Sequence, residues 1–293
     1  MNAAAERSEL LRAIALMIAA MAAFACGDTL INYLSASVSL AQIMLTFGIS
    51  SIIIFGGFAV LQGQSLALSG LRDRGVQLRA VSEVVGALGM ITALMLAPLA
   101  TVSAVMQATP LFVTMGAAAI LGETVGWRRW SAAVVGFLGV IIILNPFADS
   151  FDPDALWAVL GVLGLSMRDL ATRMVPKDMG SSAVAFFSTL GLLPLGLILV
   201  PVTGVEPLAG STLALLVLLS CIGGAGYLLL TAALRLSEIS AVSPFRYTRL
   251  VFSILFAVIL LGERPPLSVY IGSAIVVASG LFILWRERRV TSD

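Results

Sequence analysis

Apolar runs of about 20 residues, the length a helix needs to cross the hydrocarbon core of a bilayer, follow one another along almost the whole chain. Short breaks rich in glycine, proline, serine or charge separate them. The runs fall near Leu11–Tyr33, Val38–Gln62, Val76–Ala97, Thr101–Leu121, Trp130–Pro146, Ala155–Val175, Ser182–Val202, Ser211–Leu236, Ser240–Leu261 and Leu267–Trp285. With 59% of 293 residues hydrophobic and 11% charged, a water-soluble core of this size cannot hide them. Mean hydropathy is +1.06. The expected fold class is an all-α integral membrane protein of ten transmembrane helices, because in lipid each spanning segment must satisfy its own backbone N–H and C=O groups. The short connections force neighbouring helices to run antiparallel. The stretch from Leu11 to Cys26 has a second reading as a signal segment, with Ala23-Phe24-Ala25 resembling a cleavage site. Its apolar run continues through Tyr33, which is long enough to span.

Basic residues sit in alternate loops: Arg7 and Arg12; Arg72, Arg74 and Arg79; Arg128 and Arg129; Arg173 and Lys177; Arg235; and Arg286, Arg288 and Arg289. The intervening loops carry Asp149, Asp152, Asp154 and Glu206, with Arg264 as the basic exception. By the positive-inside rule the arginine-rich loops are expected in the cytoplasm, with both termini there and the chain in the cell inner membrane. The net charge of +1 and this scatter speak against a nucleic-acid surface. There is no histidine, so a histidine metal site is excluded and any proton relay must use carboxylates. Cys26 and Cys221 lie inside apolar runs, as packing residues do, rather than at disulfide or zinc spacing. No cofactor is expected.

The chain is internally duplicated. Gly86 to Val105 aligns without gaps on Gly223 to Val242, matching Gly86 with Gly223, Gly89 with Gly226 and Ser103-Ala104-Val105 with Ser240-Ala241-Val242. Each copy is followed by an apolar helix ending in Gly-Glu, at Gly122-Glu123 and Gly262-Glu263. The halves are 1–147 and 148–293. Five helices per half is an odd number, so the halves must run in opposite senses, with Glu123 and Glu263 at opposite faces. Two inverted five-helix repeats around a central cavity are a recurrent design for alternating access. Because both halves are in one chain, a monomer suffices.

The segments SAVMQATPLFVTMGAAAILGE at 103–123, Gly126-Trp127-Arg128-Arg129-Trp130, Pro244-Phe245-Arg246-Tyr247 and Leu261-Gly262-Glu263-Arg264-Pro265 resemble, in order and duplication, the drug/metabolite transporter superfamily. The resemblance is to its EamA-type branch, which includes YddG-like amino-acid exporters. It implies a ten-helix basket, no enzymatic activity, and export of amino acids or related small metabolites by alternating access. Related branches carry riboflavin, S-adenosylmethionine, nucleotide-linked compounds or drugs. Asn32 and Phe47 stand where relatives often have a basic residue. The rival class, a membrane-embedded enzyme, should show clustered acid, base or metal-binding groups near one interface, and no such cluster is visible.

Ionisable residues inside spans are costly and tend to face water or a partner. Asp28, Glu83, Arg168, Asp169, Arg246 and Arg249 qualify, and with Tyr247 they head the candidates for binding a solute. Asp28 and Asp169 occupy comparable places in the first helix of each half and read as two gates. Asp169 reads equally as part of a local network with Arg168 and Arg173. Asp28 has no basic neighbour in sequence, which favours its protonated form. Glu83, four residues after Arg79, either pairs with it or meets the solute. Arg246 and Arg249, beside Tyr247, either anchor a carboxylate with their forked donors or reach the interface. Pro110, Pro194 and Pro244, with Gly86 and Gly223, are candidate hinges or packing kinks. Tyr227, Trp157 and Tyr247 either line the cavity or anchor the packing. Glu123 and Glu263 are expected to close the N-terminus of the helix that follows each.

Overall fold

A chain that meets hydrocarbon on all sides can satisfy its backbone only by coiling into helices, and helices joined by short turns account for the architecture throughout. The computed structural model describes residues 3–120, 122, 126–148, 151–176, 178–236 and 242–291. Glu123, Asp149, Lys177, Ser240 and Ala241 lie outside the described residues, as do the side chains of Arg7, Arg235, Arg286, Arg288 and Arg289. Among the described residues eight helices are long and apolar enough to span. They are α1 (Ser8–Leu34), α2 (Leu40–Leu61), α3 (Arg74–Leu96), α4 (Leu99–Ile120), α5 (Trp127–Leu144), α6 (Pro153–Thr172), α7 (Ser181–Thr203) and α8 (Gly210–Leu234). Two shorter apolar helices complete the ten: α9 (Thr248–Ile259), entered through a 3-10 turn at Ser243–Tyr247, and α10 (Leu267–Ile283). The protein is an all-α integral membrane protein.

Three helices are broken along their length and a fourth is entered through a 3-10 turn. A π-turn at Ile52–Gly56 interrupts α2. Helix α4 breaks between Met106 and Thr109, just ahead of Pro110. The missing N–H of Pro110 frees the Met106 carbonyl, and the Thr109 hydroxyl donates to it at 2.7 Å. Helix α7 breaks between Thr189 and Leu192, ahead of Pro194, and the 3-10 turn before α9 contains Pro244. The broken helices fall in equivalent pairs, α2 with α7 and α4 with α9. Gly86 and Gly223, by contrast, sit inside continuous helices.

Packing obeys the duplication. Helix α3 packs on α6 and α8 on α1; α1 packs on α9 and α6 on α4; α2 packs on α7, α5 on α10 and α4 on α9. Adding five to every helix number returns the same set of neighbours, so the two halves exchange roles about an axis through the middle of the bundle. Glycine permits the closest crossings. A Cβ at Gly161 would lie 2.8 Å from the Met90 nitrogen, and one at Gly86 2.9 Å from the Leu165 nitrogen. At the α5–α10 crossing Gly272 and Gly139 face each other in the same way.

Polar bonds stitch the end of the bundle that bears the acidic loops. The Asn32 amide donates to the Leu94 carbonyl at 2.7 Å and the Ala97 carbonyl at 3.3 Å, tying α1 to the end of α3. Ser39 donates to the Gly204 carbonyl, and Gln42 both donates to and accepts from the Glu206 backbone. Glu263 corrects the sequence expectation: its carboxylate accepts from the Leu99 and Ala100 N–H groups at 2.6 and 3.1 Å, capping α4 rather than the following helix. The reason is local. Pro265 and Pro266 precede α10, remove two donors that helix would otherwise present, and leave the carboxylate free to cross to the other half.

Replacing Gly161 by Leu should drive α3 and α6 apart, because the atoms met are backbone and cannot yield. The expected result is loss of most of the monodisperse peak in detergent gel filtration. Gly57→Ala, where a Cβ meets nothing within 4 Å, should leave both the peak and its melting temperature in place.

Candidate substrate cavity

The ionisable residues of the spans converge from separate helices onto the interior. Asp28 projects from α1 and is 5% exposed. Arg249, 221 residues away on α9, grips it with a fork: Nε donates to Oδ2 at 2.9 Å and Nη2 donates to both oxygens at 2.7 Å. The guanidinium also lies 5.5 Å from the centroid of the Phe24 ring, one turn earlier on α1, a favourable cation–π placement. Asp28 therefore has a basic partner, although none stands near it in sequence. Its counter-ion comes from the other half of the chain, where sequence proximity gives no hint of it.

A second ionic group joins α6 to α3. Arg168 donates from Nε and Nη2 to Asp169 Oδ1 at 3.0 and 2.9 Å, and from Nη1 to Glu83 at 3.4 Å. Glu83 thus forms its ion pair with Arg168 rather than with Arg79, although Arg79 lies within electrostatic range of Glu83, Arg168 and Asp169. The Arg79 hydrogen bonds go to the Thr172 hydroxyl on α6, at 2.9 Å, and to the Ser188 hydroxyl on α7. Asp169 keeps Arg168 as its partner, as the local-network reading expects, and its side chain is 34% accessible.

Arg246 differs from the other arginines. Its side chain is exposed, and the charges of Asp169, Arg168 and Arg249 act on it. No hydrogen bond or ion pair engages it among the described residues. Neighbouring Tyr247 turns away: it is 7% exposed, and its hydroxyl abuts Gly280 on α10, where any Cβ would collide with it. Of the seven binding candidates, six are brought to the interior and Tyr247 is packed between helices. Aromatic faces contribute as well. Phe55 on α2 meets Tyr227 on α8 edge to face at 4.6 Å, and Tyr227 is within electrostatic range of Arg79. Phe24 and Phe55 escaped the sequence reading because a phenylalanine in an apolar span carries no signal of its own.

Four arginines, Arg79, Arg168, Arg246 and Arg249, thus lie in ion pairs or within electrostatic range of one another and of three carboxylates, Asp28, Glu83 and Asp169. Among the described residues Arg79 is held by hydroxyl groups and Arg246 by no hydrogen bond or ion pair. Charge paired so sparingly at membrane depth, in a bundle of inverted halves with broken helices, defines a membrane transporter. The chain belongs to the EamA-like transporter family, whose model matches residues 11–145 and again 153–285. It is 30% identical over 199 residues to an S-adenosylmethionine uptake transporter of Rickettsia felis, covering 68% of this chain and 67% of that one. It is 28% identical over 211 residues to a riboflavin transporter of Rhizobium johnstonii, covering 72% and 70%. A riboflavin transporter of Vibrio cholerae is 30% identical over 193 residues, covering 64% and 63%. A solved chain described as "Crystal structure of protein" superposes with a TM-score of 0.55 at 21% identity over 99% of both chains, which speaks to the fold alone.

Arg168→Ala should strand Glu83 and Asp169 together without their shared cation. Because the Arg168 side chain is 28% accessible, the cost should fall short of the roughly 3–5 kcal/mol of a fully buried pair, at about 2 kcal/mol. A thermal melt in detergent should show a clear fall, and Glu83→Gln introduced on the same background should recover part of it.

Proposed function

We propose that this chain is an uptake carrier for a small metabolite with an amino-acid end, S-adenosylmethionine in the first instance, working by alternating access between the halves 1–147 and 148–293. The observation that supports this reading is Arg246, an exposed cation that has no hydrogen bond or ion pair among the described residues and lies within range of the accessible carboxylate of Asp169. A planar fork of donors suits a carboxylate, and Asp169 beside it suits an ammonium group. Glu83, Arg168 and Arg249 set the field of the same site. Phe24, Phe55 and Tyr227 offer ring faces for the remainder of the solute. The relatives named for S-adenosylmethionine uptake support the same solute. Export of amino acids, which the sequence resemblance implies, shares the recognition of a zwitterion and differs in direction. The arginine-rich loops support an inner-membrane location with both termini in the cytoplasm. Pro110 and Pro244, at breaks of the equivalent helices α4 and α9, are the bending points in this reading.

Riboflavin is the second reading, favoured by the aromatic pair of Phe55 and Tyr227 and by the relatives named for it. The two solutes separate on charge, since riboflavin has no carboxylate for Arg246 to hold. Sealed proteoliposomes should accumulate labelled S-adenosylmethionine, Arg246→Ala should lower that uptake at least tenfold at equal protein content, and Arg246→Lys should restore part of it. Uptake that ignores Arg246→Ala would remove the anchor. Uptake of riboflavin alone, indifferent to the same substitution, would favour the second solute.

A further inference from the structure

The two equivalent helix junctions are chemically unlike. Helix α1 meets α9, and its counterpart α6 meets α4. At the first junction Asp28 and Arg249 form a forked, largely buried ion pair. No such pair is available at the second, because residues 99–120 of α4 contain no charged side chain at all. The carboxylate that α6 offers, Asp169, turns instead to Arg168 on its own helix. In a carrier of inverted halves the two end states arise as the halves exchange conformations. With matched junctions the two states would be similar in energy. Here one junction carries a bond that must be broken, in a medium that gives a separated charge no water.

From this we infer that the Asp28–Arg249 pair is a latch: it holds α1 on α9 in the resting carrier, and it opens when the carboxylate of an arriving solute takes the place of Asp28 on Arg249. The identity of the trigger rests on the proposed solute, and the latch itself does not. Position supports the exchange. Arg246 lies one helical turn from Arg249 on the same chain segment and within range of its charge, so a carboxylate held at Arg246 sits next to the fork it must enter. Arg249 is 24% accessible whereas Asp28 is 6%, so the arginine is the partner that solute can reach. The Phe24 ring, 5.5 Å from the guanidinium, is a contact Arg249 keeps after the carboxylate has left. Asp28 is in this account a positioning residue that need not touch the solute.

The test uses the full chain in liposomes with Cys26 and Cys221 replaced by serine and spin labels placed at Ser37 and Leu260, exposed positions just beyond α1 and α9. Without solute, Asp28→Asn should add a second, longer distance population exceeding the parent's by at least tenfold in relative weight. Arg249→Lys, which keeps the charge and loses the fork, should give an intermediate population and serves if the first variant folds poorly. An unchanged distance distribution in folded Asp28→Asn or Arg249→Lys protein overturns the latch. In the parent, S-adenosylmethionine should produce the same long population and its decarboxylated form should not. Equal responses to both compounds, or no response from a carrier that does take up S-adenosylmethionine, overturn the trigger. Absence of any S-adenosylmethionine uptake counts against the proposed solute and leaves the solute-free comparison to decide the latch.

Discussion

Charge without water is the constraint on which this structure turns. A carboxylate or guanidinium carried into hydrocarbon must find a counter-charge or an aqueous cavity, and each of the carboxylates Asp28, Glu83 and Asp169 meets the first condition. Asp28 is closed off by the fork of Arg249, Glu83 and Asp169 share Arg168, Arg79 is held by the Thr172 and Ser188 hydroxyls, and Arg246 is exposed. The helices are held in the positions that these pairings demand. The same condition disciplines the backbone: the Met106 carbonyl released by Pro110 is taken by the Thr109 hydroxyl, and the first donors of α4 are taken by Glu263 from the opposite half.

Glycine supplies the complement to this polar economy. In lipid there is little hydrophobic drive to press helices together, so affinity comes from close approach of backbones. The crossing of α3 on α6 uses Gly86, Gly89, Gly161 and Gly164, while the equivalent crossing of α8 on α1 has Phe24 against Gly226 and open space at Gly223. One crossing is filled by backbone and the other partly by an aromatic ring that also carries a guanidinium. The looser crossing is the one whose ring also meets Arg249, while the tighter one carries the Arg168–Glu83 pair beside its glycines.

A duplicated, inverted architecture supplies two nearly equal conformations from one sequence, and the sequence then makes them unequal by small changes at matched places. Helix α4 has no charge where α9 and the 3-10 turn leading into it carry Arg249 and Arg246, and the broken helices pair across the halves although the elements that break them differ, a π-turn in α2 and a proline-led break in α7. The bending points are inherited by both halves. The chemistry of the cavity belongs to particular residues of each.

The fold was legible in the sequence because it rests on local quantities: segment length against bilayer thickness, and an odd number of helices in each copy. The eight long helices lie within a few residues of the segments read from hydropathy, whereas the ninth begins at Thr248 rather than Ser240 because Pro244 stands in the 3-10 turn before it; the candidates Glu83, Arg168, Asp169, Arg246 and Arg249 stood out because a charge inside an apolar run is rare. Partnership was not legible. That Asp28 belongs to Arg249, that Arg168 rather than Arg79 holds Glu83, that Tyr247 packs against Gly280, and that Glu263 caps a helix of the other half all depend on which faces of distant helices meet. Hydrophobicity along the chain determines that a helix crosses the membrane. The rotation of that helix about its own axis, and so the neighbour each charge finds, is decided by glycine contacts and ion pairs that exist only once the bundle has closed.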